Sequence, residues 1–216
     1  MTKKLPDDFV KATIDLGGFL IEFASVMRAT HLDPQGTPES DSDHTVMLSV
    51  IACAVAARMH PEYNLGKIAQ YALVHDLVEV YAGDVNTINF HAVDQKAKIN
   101  SERDALQKIK ARFGMQFAWI HQTIEAYESL QDPEARFVKT LDKVMPAITQ
   151  HYSGSKIVNE KFDDPAAFEA SMTAINKNME GSYAHDQAFA LELRKAVLKD
   201  IIDNKYAHHQ TKKAKK

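Results

Sequence analysis

Apolar residues recur along this chain at helical spacing, while β-branched alternation is rare and glycine sparse. The pattern predicts a first helix over residues 8–27, with Phe9, Ile14, Leu20, Ile21, Phe23 and Val26 apolar and Gly17-Gly18 weakening its middle. Residues 28–43, rich in Pro, Asp, Ser and Gly, read as a loop, with Ser42 or Asp43 as the cap of the next helix. That helix, 44–59, is apolar almost all round and is expected at the centre of the fold. A turn over 61–66 leads to a helix over 67–81, ended by Ala82-Gly83. After a loop at 84–92 come a charged amphipathic helix at 94–113 and a further helix at 116–130. A helix over 134–151 should kink or restart at Pro146. Helices at 165–179 and 186–206 complete an all-α fold, and the basic stretch 208–216 reads as a frayed tail.

Composition narrows this only slightly. With 216 residues, one domain over 1–207 is expected, and the length suffices for a substantial core. Apolar residues make up 45% and charged residues 25%, as in ordinary globular proteins. A net charge of −3 gives no electrostatic footprint for nucleic acid. No apolar run is long enough to span a membrane, and the lysines at the start precede acidic residues rather than an apolar leader segment. Cys53 lies alone in the run Val50-Ile51-Ala52-Cys53-Ala54-Val55 and reads as a small core residue; a reducing cytoplasm is the expected setting. Trp119, also in an apolar run, reads as core rather than as a stacking platform.

Four residues stand out against this helical background. His44, His75, Asp76 and Asp142 offer two imidazoles and two carboxylates from separate apolar segments, a donor set for one divalent transition metal such as Mn, Co, Zn, Fe, Ni or Cu. His75-Asp76 interrupts the apolar stretch Tyr71-Ala72-Leu73-Val74, where an unpaired charge is expensive to bury. Each residue alone is unremarkable: His44 can start a helix, and Asp142 can be a surface carboxylate between Lys139 and Lys143. Glu79 follows His75 by four, so both would project from one helix face and Glu79 would lie near the ion without ligating it. That is the place for a residue that takes a proton from metal-bound water, although a surface Glu is the plainer reading.

The order His44, His75-Asp76, Asp142 resembles the HD-domain metal-dependent phosphohydrolases. Among their branches, the 5′-deoxynucleotidases are the most similar. The stretches that carry the likeness are residues 38–44, 72–79, Gly83-Asp84 and 134–143, within about 15–150. The resemblance implies an all-α fold, one bound divalent ion, a homodimer, and hydrolysis of deoxyribonucleoside 5′-monophosphates to nucleoside and phosphate. It implies that His44, His75, Asp76 and Asp142 hold the metal, that Glu79 activates the water, and that Asp84 meets a sugar hydroxyl. Arg28 then takes the phosphate, to which a planar guanidinium is suited. The family's tryptophan after this arginine is missing, since Ala29, Thr30 and His31 follow, so an aromatic contact is lost or partly replaced by His31. The family's Glu before the first His stands as Asp43. Two alternatives remain open: hydrolysis of another nucleotide, triphosphate or cyclic, and a non-catalytic helical module that binds a nucleotide.

Overall fold

The computed structural model describes residues 5–84, 95–154, 158, 161–162 and 164–206. The predicted loop at 84–92 (beyond Asp84) and the tail at 208–216 lie outside them. Helices α1 (Asp7–Ala24), α2 (Asp41–Met59), α3 (Leu65–Val74) and the single turn α4 (Glu79–Ala82) are followed by α5 (Gln95–Phe113), α6 (Ala118–Ser129), α7 (Pro133–Asp142) and α8 (Met145–Tyr152). Next come α9 (Pro165–Ser182) and α10 (Ala188–Asp200), whose end passes into a π-helical turn at Ile201–Tyr206. The fold is all-α, as the apolar spacing predicts. Among the described residues no helix is long and apolar enough to cross a membrane.

Three departures from the predicted elements shape the site. First, part of the 28–43 loop is a short antiparallel hairpin, β1 (Met27–His31) with β2 (Pro38–Ser40), irregular in register between Met27 and His31. Asp33 closes its turn by accepting from the amides of Gly36 at 2.8 Å and Thr37 at 3.0 Å. Second, α2 starts earlier than expected because Ser40, not Ser42 or Asp43, is the N-cap. Ser40 Oγ accepts from the Asp43 amide at 3.1 Å, and Asp43 Oδ2 accepts from the Ser40 amide at 3.0 Å, a reciprocal capping box. Asp41 thereby joins the first helical turn. Third, the predicted 67–81 helix breaks after Val74. His75 Nδ1 donates to the Ala72 carbonyl at 2.8 Å, an acceptor that a continuing α-helix offers to the amide of Asp76. The chain advances through tighter three-residue turns, Leu77 N to Val74 O and Glu79 N to Asp76 O, before α4.

The core falls into neighbouring apolar clusters. Leu48, Ala52 and Ala56 of α2 pack with Ile68 and Tyr71 of α3 and with Phe137, Val138 and Leu141 of α7. Phe19 and Phe23 of α1 pack with Val74, Leu77, Ile109, Phe113 and Ile124. A third cluster, Ala147, Val158, Phe168, Met172, Leu198 and Ile201, joins the C-terminal helices to α8 and takes in Ala29 of the hairpin. Arg194 of α10 is buried and donates from Nε to the Lys143 carbonyl at 2.9 Å and from Nη1 to Asn176, so it fastens the C-terminal helices to the end of α7. Pro146 lies in the first turn of α8, where its missing N–H costs nothing, and it restarts the helix as expected. Three core expectations fail at the periphery. Val46 and Val50 leave one face of α2 exposed, and Cys53 is only partly buried. Trp119 is also half exposed, its indole N–H reaching Gln70 Oε1 at 3.2 Å, because α6 turns that edge outward.

Candidate metal centre

Each of the four candidate ligands is delivered by the end or first turn of an element. His44 lies in the first turns of α2, His75 and Asp76 in the break after α3, and Asp142 at the last residue of α7. Donor atoms of all four lie within 4.8 Å of one another, an arrangement that could hold one metal ion. His44 Nε2 is 2.9 Å from Asp142 Oδ1, and His75 Nε2 is 2.9 Å from Asp76 Oδ2 and 3.8 Å from Asp142 Oδ1.

The outer nitrogens fix which ring atoms face inward. His44 Nδ1 lies 3.1 Å from Glu39 Oε1, and His75 Nδ1 is spent on the Ala72 carbonyl. Each neutral ring therefore directs the lone pair of Nε2 at carboxylate oxygens, acceptor against acceptor. His75 Nε2 is buried and makes no hydrogen bond there. Such a set is stable only with a positive charge in its midst, and hydrogen-bonded outer nitrogens are the usual companions of metal-ligating histidines. With a proton as that charge, burial opposes ionising His44, but Asp142 and Glu39 outweigh it and lift its pKa to about 9. Burial likewise disfavours the charge on Asp142, yet Lys143 and the two imidazoles hold its carboxyl well below the usual range.

A second group sits against the first. Donor atoms of Asp41, Asp76 and Glu79 lie within 4.8 Å of one another. Glu79 is buried, and burial together with the charges of Asp76, Asp41 and Asp84 pushes its proton affinity far up. Asp41 is raised to about 6 by burial and by Asp76. These two carboxyls can keep a proton between them that neither would hold in water. Arg28 ties the groups together, its Nη1 donating to Asp76 Oδ2 at 2.8 Å and to Asp41 Oδ1 at 3.1 Å. Both bonds use one nitrogen, so Nε and Nη2 make no hydrogen bond among the described residues.

The remaining sequence candidates are less tightly placed. Asp84 follows Gly83, whose φ of +76° few other residues adopt. Its pKa is raised by burial, and Arg28 and Asp76 are the strongest charges acting on it. His31 ends β1 with a buried Nδ1 that lacks a partner, and no hydrogen bond or ion pair among the described residues joins it to the cluster. Ala29, the residue after Arg28, packs into the third apolar cluster. His151 pairs with Asp200 at 2.5 Å and lines a separate cavity of about 370 Å³ with Ile148, Tyr152 and Val197.

Sequence reasoning missed two carboxylates. Glu39, on β2, is the partner of His44 Nδ1 and accepts from the Thr30 hydroxyl on its other oxygen, whereas Asp43 is occupied in the helix cap. Asp41 precedes His44 by three residues, a spacing that shares one helix face once the helix starts at Asp41. The capping-box pattern beginning at Ser40 was the signal for that start.

The profile of the HD domain family matches residues 23–182, nearly three quarters of the sequence and every residue of the centre. The chain belongs to the HD domain family. Its relatives include 5′-deoxynucleotidase hdd1 of Schizosaccharomyces pombe, 29% identical over 109 residues, which cover 49% of this chain and 54% of that protein. The 5′-deoxynucleotidase HDDC2 of Danio rerio is 33% identical over 116 residues, covering 53% and 55%. The matched stretch thus spans about half the length of these curated relatives. In three dimensions the HD fold here is similar to a predicted metal-dependent phosphohydrolase from Magnetospirillum magnetotacticum, with a TM-score of 0.69 at 20% identity over 91% of this chain and 98% of that one. A conserved hypothetical protein from Pyrococcus furiosus shares it with a TM-score of 0.54 at 19% identity, covering 84% and 99%.

Proposed function

We propose that this HD-domain chain is a metal-dependent phosphomonoesterase that hydrolyses nucleoside 5′-monophosphates to nucleoside and phosphate. The observation that carries the reading is the meeting of His44 Nε2 and His75 Nε2 with Asp142 and Asp76 beside an arginine bonded to one of those carboxylates. His44, His75, Asp76 and Asp142 would hold the ion. A divalent ion there supplies charge for a phosphate oxygen and lowers the pKa of bound water toward neutrality.

The chain's own groups do the rest. The unbonded nitrogens of Arg28 grip phosphate oxygens, providing position and electrostatic stabilisation. Glu79, with Asp41 beside it, takes the water proton and passes one to the leaving 5′-oxygen. Asp84 accepts from a sugar hydroxyl, and His31 is the substrate-binding aromatic residue of the hairpin. Its relatives among the 5′-deoxynucleotidases support a preference for deoxyribonucleotides. One domain over 1–207 and a homodimer belong to the same reading, and the exposed Val46 and Val50 of α2 offer apolar surface for a second copy.

The test is phosphate release by metal-stripped protein re-supplied with Mn, Co, Zn or Mg, across ribo- and deoxyribonucleoside monophosphates, triphosphates and cyclic nucleotides. Ion-dependent release from monophosphates is expected. Release only from triphosphates or cyclic nucleotides would move the substrate class. Bound nucleotide without turnover under every ion would identify a non-catalytic module.

A further inference from the structure

Lys143 follows Asp142 and bonds that carboxylate, whereas Arg28 bonds Asp76 and Asp41. Its Nζ is 2.7 Å from Asp142 Oδ2, while Oδ1 of the same carboxylate faces His44 Nε2. The lysine side chain is one-third exposed, while the carboxylate that holds its ammonium is buried. Its charge acts on Asp84 as well as on Asp142, and it feels Asp76 and the Tyr183 hydroxyl in turn. It is thus a cation of the cleft rather than of the outer surface.

An ammonium bonded to a ligand carboxylate works against a metal ion. It draws on the same negative charge and repels the incoming dication. A purely metal-binding design gains nothing from it. A phosphate monoester dianion does gain, because it offers three peripheral oxygens. One oxygen can be met by the ion, one by the guanidinium of Arg28, and one by an ammonium that retains two protons after bonding Asp142.

We propose that Lys143 is the second phosphate-binding cation of this site, aimed by Asp142 and acting together with Arg28. The proposal rests on the phosphomonoesterase reading for its substrate, but not for its test. Lys143→Met keeps the length of the stem and removes the charge. Calorimetric titration of metal-stripped protein with Mn²⁺, and then of Mn-loaded protein with inorganic phosphate, separates the two ligands. In Lys143→Met, Mn²⁺ should bind as tightly as in the parent or more tightly. Phosphate should bind about ten- to a hundredfold more weakly, the loss expected of one charged hydrogen bond. Lys143→Arg should recover part of the phosphate affinity. If Lys143→Met fails to fold by circular dichroism, Lys143→Gln carries the same comparison.

Unchanged phosphate affinity, or no phosphate binding by the parent protein, would overturn the proposal. So would a loss of Mn²⁺ affinity, since the lysine would then serve only to hold Asp142 in place. A parent protein that binds phosphate yet releases none from any nucleoside monophosphate would remove the enzymatic reading, while the titrations would still decide Lys143.

Discussion

The carboxylate of Glu39 holds Nδ1 of His44 at 3.1 Å, and each side chain is only 1% exposed. The pair joins the hairpin to α2 and commits Nε2 of His44 to the interior of the cluster. Glu39→Ala should therefore leave every proposed ligand in place yet weaken divalent-ion binding about 10- to 100-fold, the usual effect of removing a partner behind a ligating histidine. Competition against a chromogenic chelator measures it. Undiminished affinity would mean that packing alone orients the imidazole.

His75→Ala and Asp142→Ala remove donors themselves. Each variant should lose most of its bound ion and nearly all activity while retaining its helical circular dichroism, because the ring and the carboxylate sit at element ends rather than within a packed stripe. Elemental analysis after gel filtration gives the stoichiometry, and full occupancy in either variant would strike that residue from the ligand set.

Glu79→Gln preserves shape and hydrogen-bonding capacity but cannot take up a proton. Ion binding should persist and turnover should fall by about two to four powers of ten. Asp41→Asn tests the neighbouring carboxyl, and a similar fall there would show that the two act as one proton-holding unit. Should Glu79→Gln instead lose the ion, Glu79 would be a ligand.

Arg28→Lys keeps a charge but loses the planar fork. It should raise KM and lower turnover for every phosphate monoester alike. Asp84→Asn should weaken nucleotides far more than p-nitrophenyl phosphate, which lacks a sugar, by roughly 1.5–3 kcal/mol for a hydrogen bond to a charged acceptor. Equal losses on both substrates would leave Asp84 no part in sugar recognition.

Gly83 adopts φ +76° and ψ 150°, a region essentially reserved for glycine. Gly83→Ala should cost about 1–3 kcal/mol and lower the melting temperature by several degrees, although a methyl group there meets no atom within 4 Å. A melting temperature within a degree of the parent would show that the chain relaxes at this turn.

His75 and Asp76 were legible because a charged pair inside an apolar run has few inexpensive explanations, and His44 and Asp142 only through the pattern they complete with it. Helix positions were legible from spacing, since packing faces repeat along the chain. The hairpin was not, because its three-residue β2 is too short for alternation to register. The break after Val74 was hidden for another reason: the residue that opens it, His75, does so with its side chain, and helical periodicity carries no trace of such competition. Glu39 escaped notice because its role depends on strand pairing that brings β2 beside α2, and Asp41 because the cap was placed two or three residues late.

Arg194 bonds the carbonyl of Lys143 from fifty-one residues downstream. The last helices hold no member of the cluster, yet they brace the peptide that carries Asp142 and Lys143. A search for the shortest working unit would therefore end beyond residue 194 rather than at the final motif residue. Insertions in the C-terminal third that tilt α10 would be felt as faults at a metal centre they never touch.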